Sequence, residues 1–256
     1  MSRQFGPVRQ LPQRAIDAAA RRFNRWASPG VPIESLLSLE SDSAAVSAEL
    51  VLRSVRAVSA IDLVTGYLDN RFVLGGYDET GAHHFRWCTT PERAVITRAT
   101  GRMPRDVRRR LDRAEFDIVF DVELRAILEG CREGRDSWLT DELIDLYVEL
   151  DDLGFMSTVA TYRDGDLVGG YAGIRVGGCF AGLSRFHRAP GAGSVAYGAL
   201  VAALLDGTGP SMIDSGPMSD HVARFGAIAR DPEVHRRAVL EGLAARGRRS
   251  SGDGPE

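Results

Sequence analysis

Apolar and polar positions along the chain follow two periods in turn. From Gln13 to Trp26 the apolar residues recur at helical spacing and stop at "SPG", which predicts an amphipathic helix. The stretch "IESLLSLESDSAAVSAELVLRSVRAVSAIDLV" keeps the helical pattern, with "ESDS" as a break and Ser43 as a cap, so residues 1–60 are expected to form a helical N-terminal region. The period then changes. "RFVLGGYD", "AHHFRW" and "RAVITRA" alternate between Gly and Asp/Glu turns and predict short strands. "MPRDVRRRL" predicts a basic helix, and "EFDIVFDVELRAILEGC" a strand running into a helix capped near Asp121. "LTDELIDLYVELDDLG" predicts a helix opened by Thr140 and closed by Gly154.

The stretch "FMSTVATYRDGDLVGGYAGIRVGGCFAGLSRF" predicts three strands joined at "DG" and "GG", both strong hairpin signals. "GAGSVAYGALVAALLDG" is apolar nearly all round, which predicts a buried helix. "SMID" predicts a short strand, and Ser219 opens a helix in "SDHVARFGA". Antiparallel strands, a buried helix, then a strand and a helix define an α+β domain with a mixed sheet flanked by helices, of the N-acetyltransferase type. The expected division is a helical region over 1–60, the working domain over 61–240, and a disordered tail over 241–256.

Composition narrows the class. Of 256 residues 44% are hydrophobic and 26% charged, which suits one sizeable globular domain. The longest apolar runs fall short of the roughly 20 residues that a membrane span needs, and the N-terminus lacks the apolar core of a secretory signal. Cys88, Cys131 and Cys179 are far apart and odd in number, so neither a disulfide framework nor a zinc knuckle is suggested; a cytoplasmic protein with no membrane partner is expected. His83 and His84 are adjacent on a strand and point opposite ways, so no metal site is expected there. The chain has no lysine, and its net charge of −3 argues against a general nucleic-acid binder, DNA included. The charge is unevenly placed, however. Eight arginines lie between Arg93 and Arg113, and thirteen acids between Glu115 and Asp152. This pattern fits one face for an anionic partner, or two solvated helix faces of opposite sign.

Two local patterns carry candidate chemistry. In "GGCFAGLSRF" strict alternation puts Cys179, Ala181, Leu183 and Arg185 on one side and Phe180, Gly182, Ser184 and Phe186 on the other. An arginine in so apolar a strand calls for a carboxylate or phosphate. Just beyond stands "RAPGAG", in which Arg188, Gly191 and Gly193 match the R-x-x-G-x-G turn by which acyl-CoA-dependent N-acetyltransferases hold a pyrophosphate at a helix start.

Four segments, in order between Gly66 and His235, resemble the leucyl/phenylalanyl-tRNA–protein transferases. "RWCTTPERAV" resembles that family's Trp-Ser-Pro-x-Pro-Arg segment, with Trp87 and Arg93 at matching places. "DSWLTDELIDLYVELDDLG" resembles its Thr-Trp-Ile helix, with Trp138 as the tryptophan. "GDLVGGYAGIRVGGCFAGLSRF" resembles its double-glycine hairpin and Gly-Glu-Ser-Met-Phe strand, and "MIDSGPMSDHVARFGA" its Ile-Asp-Cys-Gln and Asp-His segments. The resemblance implies transfer of an amino acid from aminoacyl-tRNA to an acceptor amine, on a peptide, a protein N-terminus or a small molecule, with no cofactor or metal. It implies that Asp214 orients the amine and that His221 is available as a proton acceptor. Trp87, Trp138, Tyr171, Phe180, Leu183, Ser184 and Arg185 would line the substrate pocket. With a tRNA as partner, the density of arginines in the basic block adds the expectation that Arg93, Arg102, Arg105, Arg108 and Arg109 contact its acceptor stem. Three positions depart from the family pattern. Its acid is Leu183 here, its pocket methionine is Arg185, and its glutamine is Gly216, while Asp214, Asp220 and His221 are kept. An acyl-CoA-dependent transferase built on the Arg188 turn, and a non-catalytic tRNA-binding relative, remain as alternatives.

Overall fold

The computed structural model describes residues 51–55, 57–133 and 137–250. The helix expected over Gln13–Trp26 and the break at Ser43 lie outside these residues. The chain runs β1 (Val51–Val55), α1 (Ala60–Leu68), β2 (Arg71–Tyr77), β3 (His83–Thr89), β4 (Arg93–Thr97), α2 (Arg105–Asp112), β5 (Asp117–Phe120) and α3 (Leu124–Arg132). It continues through α4 (Asp141–Asp152), β6 (Met156–Arg163), β7 (Asp166–Val176), β8 (Cys179–His187), α5 (Ala192–Asp206), β9 (Met212–Asp214), α6 (Asp220–Arg224), β10 (Ile228–Arg230) and α7 (Pro232–Ser250). The architecture is α+β, with a mixed sheet flanked by helices. Among the described residues no helix is long and apolar enough to cross a membrane.

Seven strands form the main sheet in the order β10-β4-β9-β8-β7-β6-β5, and three form a smaller antiparallel sheet, β1-β3-β2. In the main sheet β8 and β9 alone run parallel, so their connection must cross a face, and α5 makes that crossing. The two hairpins form where expected. Asp164 and Gly165 have φ of 54° and 88°, and Gly177 and Gly178 have φ of 58° and 84°, the positive pairs that two-residue turns between twisted strands require. Thr140 and Ser219 cap α4 and α6 through their side chains, and Gly154, at φ 79°, follows the end of α4.

Four expectations change. Val51–Val55, expected as helix, is a strand paired antiparallel to β3, where the β-branched Val55 suits an edge ladder. The expected domain start at residue 61 therefore cuts into α1 and leaves a strand of the smaller sheet outside. Asp121 does not cap α3: the helix starts after Glu123, and Asp121 Oδ1 instead accepts from Ser157 Oγ of β6 at 2.6 Å. Finally, α7 runs through Ser250, into the tail expected to be disordered from 241.

The main sheet buries both faces. One packs under α1, α3, α4 and α7 and the smaller sheet, with Leu63, Ile127, Ile144, Phe85 and Val239 in that core. The other packs under α5, α2 and α6, with Val107, Tyr197, Leu200 and Phe225. The helix α5 is apolar all round because it lies between the sheet and α2. A Cβ at Gly198 would stand 2.4 Å from Val107 Cγ1, so only glycine permits this approach.

Candidate active site

Asp214 ends β9 with Val95 of β4 on one side and Ala181 of β8 on the other. Its side chain is 1% exposed and lies on the face covered by α1 and α7. Four donors converge on the carboxylate. Tyr67, at the end of α1, donates from Oη to Oδ2 at 3.0 Å. Arg93, first in β4, donates from NH1 to Oδ2 at 3.3 Å. His235, in the first turn of α7, places Nε2 3.2 Å from Oδ2 and 2.7 Å from Tyr67 Oη. The Gly216 N–H donates to Oδ1 at 2.8 Å. Arg93 is itself fixed: its Nε donates to Asn70 Oδ1 at 2.8 Å, and its Cζ lies 5.2 Å from the centre of the Tyr67 ring.

The electrostatics follow from this geometry. Burial by itself would raise the Asp214 carboxyl, but the His235 hydrogen bond, the charges of Arg93 and His235 and the Gly216 N–H outweigh it and hold the carboxyl below its ordinary value. The Tyr67 phenol is raised well above its usual value, by burial first and then by the Asp214 charge. The same two causes push the Cys179 thiol up to about 12. Asp214 is thus an anion ringed by protonated donors, and Cys179 is no nucleophile.

This ring closes one end of a cavity of about 220 Å³. Tyr67, Arg93, Asp214, Ser215 and Gly216 form the polar end. Leu63, Phe72, Val73, Leu74, Trp138, Tyr147, Ile174, Ala181 and Leu183 supply most of the apolar wall. Trp138 is held in place because the Gly75 N–H of β2 donates to its carbonyl at 2.9 Å.

Of the residues expected in a substrate pocket, Trp138 and Leu183 line this cavity, with Arg93 and Asp214. Trp87 does not. Its ring lies in the core against Gly66, where a Cβ would stand 2.2 Å from Trp87 Cζ3, and the Arg71 Cζ lies 5.7 Å from the ring centre. Tyr171, Phe180 and Arg185 belong to the opposite face of the sheet, the first two by simple alternation and Arg185 because of a bulge. The β7–β8 register shifts between Ala172 and Gly173, which pair with Ser184 and Gly182, so Leu183 is the extra residue. Beyond it the parity reverses, and Arg185 joins Phe180 rather than Leu183. Ser184, opposite Ala172, is outside the cavity wall.

His221 also lies on that opposite face, its ring 5.4 Å from Tyr197 and 5.2 Å from Phe225. A guanidinium N–H of Arg185 donates to His221 Nε2. Burial and the nearby charges of Arg185 and Arg224 lower the imidazole to about 4. It is neutral, and its acceptor nitrogen is taken. The arginines expected to meet tRNA separate as well. Arg105, Arg108 and Arg109 are exposed on α2, and Arg102 is exposed just before it, bonding the Ala223 and Arg224 carbonyls. Arg93 is buried in the site. The Arg188 turn is closed by its neighbours. Arg188 pairs with Glu133, and the Arg110 guanidinium lies against Gly191, where a Cβ would stand 2.7 Å from Arg110 Cζ.

Tyr67, Asn70 and His235 were not singled out by sequence reasoning. Tyr67 is 147 positions from Asp214, and it reads as one more apolar residue on the buried side of α1. His235 had one signal, a histidine in the first turn of a helix just after "DP".

The family model for leucyl/phenylalanyl-tRNA protein transferase matches residues 95–239, more than half of the chain. The chain belongs to this family of aminoacyltransferases. Among relatives bearing the same name, that of Prosthecochloris aestuarii is 34% identical over 190 residues, covering 71% of this chain and 94% of its own. That of Salinibacter ruber is 33% identical over 181 residues, covering 71% and 78%. A solved structure, the C-terminal domain of a putative lysylphosphatidylglycerol synthetase from Agrobacterium fabrum, aligns with a TM-score of 0.38 at 13% identity, over 75% of this chain and 71% of that one. Against the leucyl/phenylalanyl-tRNA–protein transferase pattern, the three departures occupy three different places. Leu183 lines the cavity. Gly216, at φ 71°, turns the chain so that its N–H meets Asp214. Arg185 lies across the sheet from both the cavity and Asp214.

Proposed function

We propose that the chain moves an aminoacyl group from the 3′ end of a tRNA to an acceptor amine, in the cytoplasm, on an N-acetyltransferase-like frame. The β8–α5–β9 crossover and the flanked mixed sheet support that frame. The observation that carries the reading is the largely apolar cavity ending on a buried, charged carboxylate. Trp138 and the apolar wall suit the flat terminal adenosine, since stacking on an aromatic ring is how single-stranded nucleotides are held. The polar end then faces the ester. Asp214 Oδ1 accepts one N–H, from Gly216, and keeps room to accept a second from the incoming amine.

The amine nitrogen attacks the ester carbonyl, the C–O bond to the ribose breaks, and the amine proton leaves with the ribose oxygen. The ester is already activated, and an α-amine with a pKa near ~8 is partly neutral at pH 7. Positioning therefore carries most of the task, contributing up to roughly 7–11 kcal/mol in the best oriented cases. His221 plays no part in this scheme, because Arg185 takes up its free nitrogen. The test is incubation with a panel of radiolabelled aminoacyl-tRNAs and peptide or small-molecule amines. Label should leave tRNA and appear in amide linkage on the acceptor. Label that stays on every tRNA, with transfer from labelled acetyl-CoA instead, would overturn the reading.

A further inference from the structure

Arg185 is a half-buried cation without an anion. Its stem runs along α5, with Cγ and Cδ 3.2 Å from where a Cβ of Gly193 would stand, and its Cζ lies 6.0 Å from the centre of the Tyr197 ring. One N–H goes to His221. No carboxylate among the described residues pairs with it, whereas the two arginines that line the cavity, Arg93 and Arg71, have Asp214 and Asp69. The groups around it stay neutral. Burial raises the Tyr171 phenol well above its usual value and takes Tyr197 up to about 12, and His221 is held uncharged. A guanidinium carries five N–H donors, and this charge has nothing opposite it. The cluster also adjoins the cavity. Ser215 lines the polar end and lies with Oγ 2.6 Å from Tyr197 Oη. Gly182 lines it too, and a Cβ there would stand 1.6 Å from Tyr171 Oη. Two phenols thus stand directly behind the cavity wall, with the guanidinium beside them.

We propose that Arg185, with the hydroxyls of Tyr171 and Tyr197, forms a carboxylate-binding subsite on the far face of the sheet, behind the cavity wall at Gly182 and Ser215, which takes an acidic group of the substrate that passes beyond the last β8–β9 pair, Ala181 and Asp214. The inference rests on the aminoacyl-transfer reading. The carboxylate belongs either to the donor's side chain or to the acceptor. A planar guanidinium holds a carboxylate through two parallel hydrogen bonds, which a lysine does not reproduce.

Two measurements test it, on the wild-type chain, Arg185→Met and Arg185→Lys. The first compares transfer from leucyl-, phenylalanyl-, aspartyl- and glutamyl-tRNA to acceptor peptides starting with Arg, Ala, Asp or Glu. Wild type should favour a partner with a carboxylate by about 30-fold or more over its uncharged counterpart, and Arg185→Met should lose that preference, with Arg185→Lys in between. A preference that follows the tRNA assigns the carboxylate to the donor, and one that follows the peptide assigns it to the acceptor. The second measures thermal stabilisation by free succinate and N-acetylglutamate, which needs no transfer. Stabilisation lost in Arg185→Met supports the subsite even if every tRNA fails as donor, and that failure would defeat only the transfer reading. A substrate ranking unchanged by Arg185→Met, or dicarboxylate binding equal in both proteins, would overturn the proposal.

Discussion

At the scale of single residues, the site depends on how many donors one carboxylate can hold. Asp214→Asn keeps the shape but turns one acceptor into a donor facing Tyr67, Arg93 and His235, or Gly216. Transfer should fall by about 10²-fold or more. Stability should fall by about 3–5 kcal/mol, because Arg93 is left buried without its partner. The pH dependence gives an independent check. The Asp214 carboxyl is lowered on folding, so its contribution is present above the ordinary carboxylate range and lost as pH falls through the folded value; the variant should lack this acid limb. His221 acts in a different window. Its imidazole falls from 6.5 to about 4 on folding, so between these values the unfolded chain binds the proton and stability declines as pH drops. His221→Gln should flatten the decline between about pH 6.5 and 4 in urea titrations; an unchanged slope would show that His221 is not its source. Asp214 was legible in the sequence because "MIDSGPMSDH" resembles the family's aspartate segment. Its partners were not, since only tertiary folding brings α1 and α7 to the same oxygen.

At the scale of elements, turn chemistry was legible and strand parity was not. "DG", "GG", Thr140 and Ser219 act within a few residues of themselves, so their roles can be read locally. The bulge at Leu183 depends on how β7 lies beside β8, and no residue type in "AGLSRF" announces it. This one extra residue moves Arg185 from the cavity to the opposite face. Glycine at 182 is tied to the same geometry, for Tyr171 Oη occupies the place of its Cβ. Gly182→Ala should therefore cost about 1–3 kcal/mol by overpacking. Adding Tyr171→Phe should recover part of that loss, because the nearest remaining atom, Cζ, is 2.5 Å away. A double variant no more stable than Gly182→Ala would mean that the backbone, not the phenol, sets the limit at this position.

At the scale of the whole molecule, the basic and acidic blocks of the sequence resolve differently. Acids of the second block are matched by nearby arginines: Asp145 by Arg125, Asp141 by Arg132, and Glu115 by both Arg110 and Arg163. Arg105, Arg108 and Arg109 have no carboxylate partner among the described residues and are exposed on one short helix. Sequence could locate the charge but not tell which part was already neutralised. The α2 ridge packs over α5, on the side of the sheet away from the cavity. A tRNA reaching the cavity with its 3′ end would therefore lay its stem around the molecule's edge toward α2. Replacing Arg105, Arg108 and Arg109 with Ser should weaken tRNA binding and reduce the slope of log affinity against log salt by about 0.7–0.9 for each phosphate that is no longer neutralised. Paired Arg125 and Arg132 serve as the control: replacing these two with Ser should leave the slope unchanged, because their charge is already balanced. Anisotropy titrations of labelled tRNA over a range of salt concentrations measure both, and an unaltered slope in the triple variant would place the acceptor stem on another face.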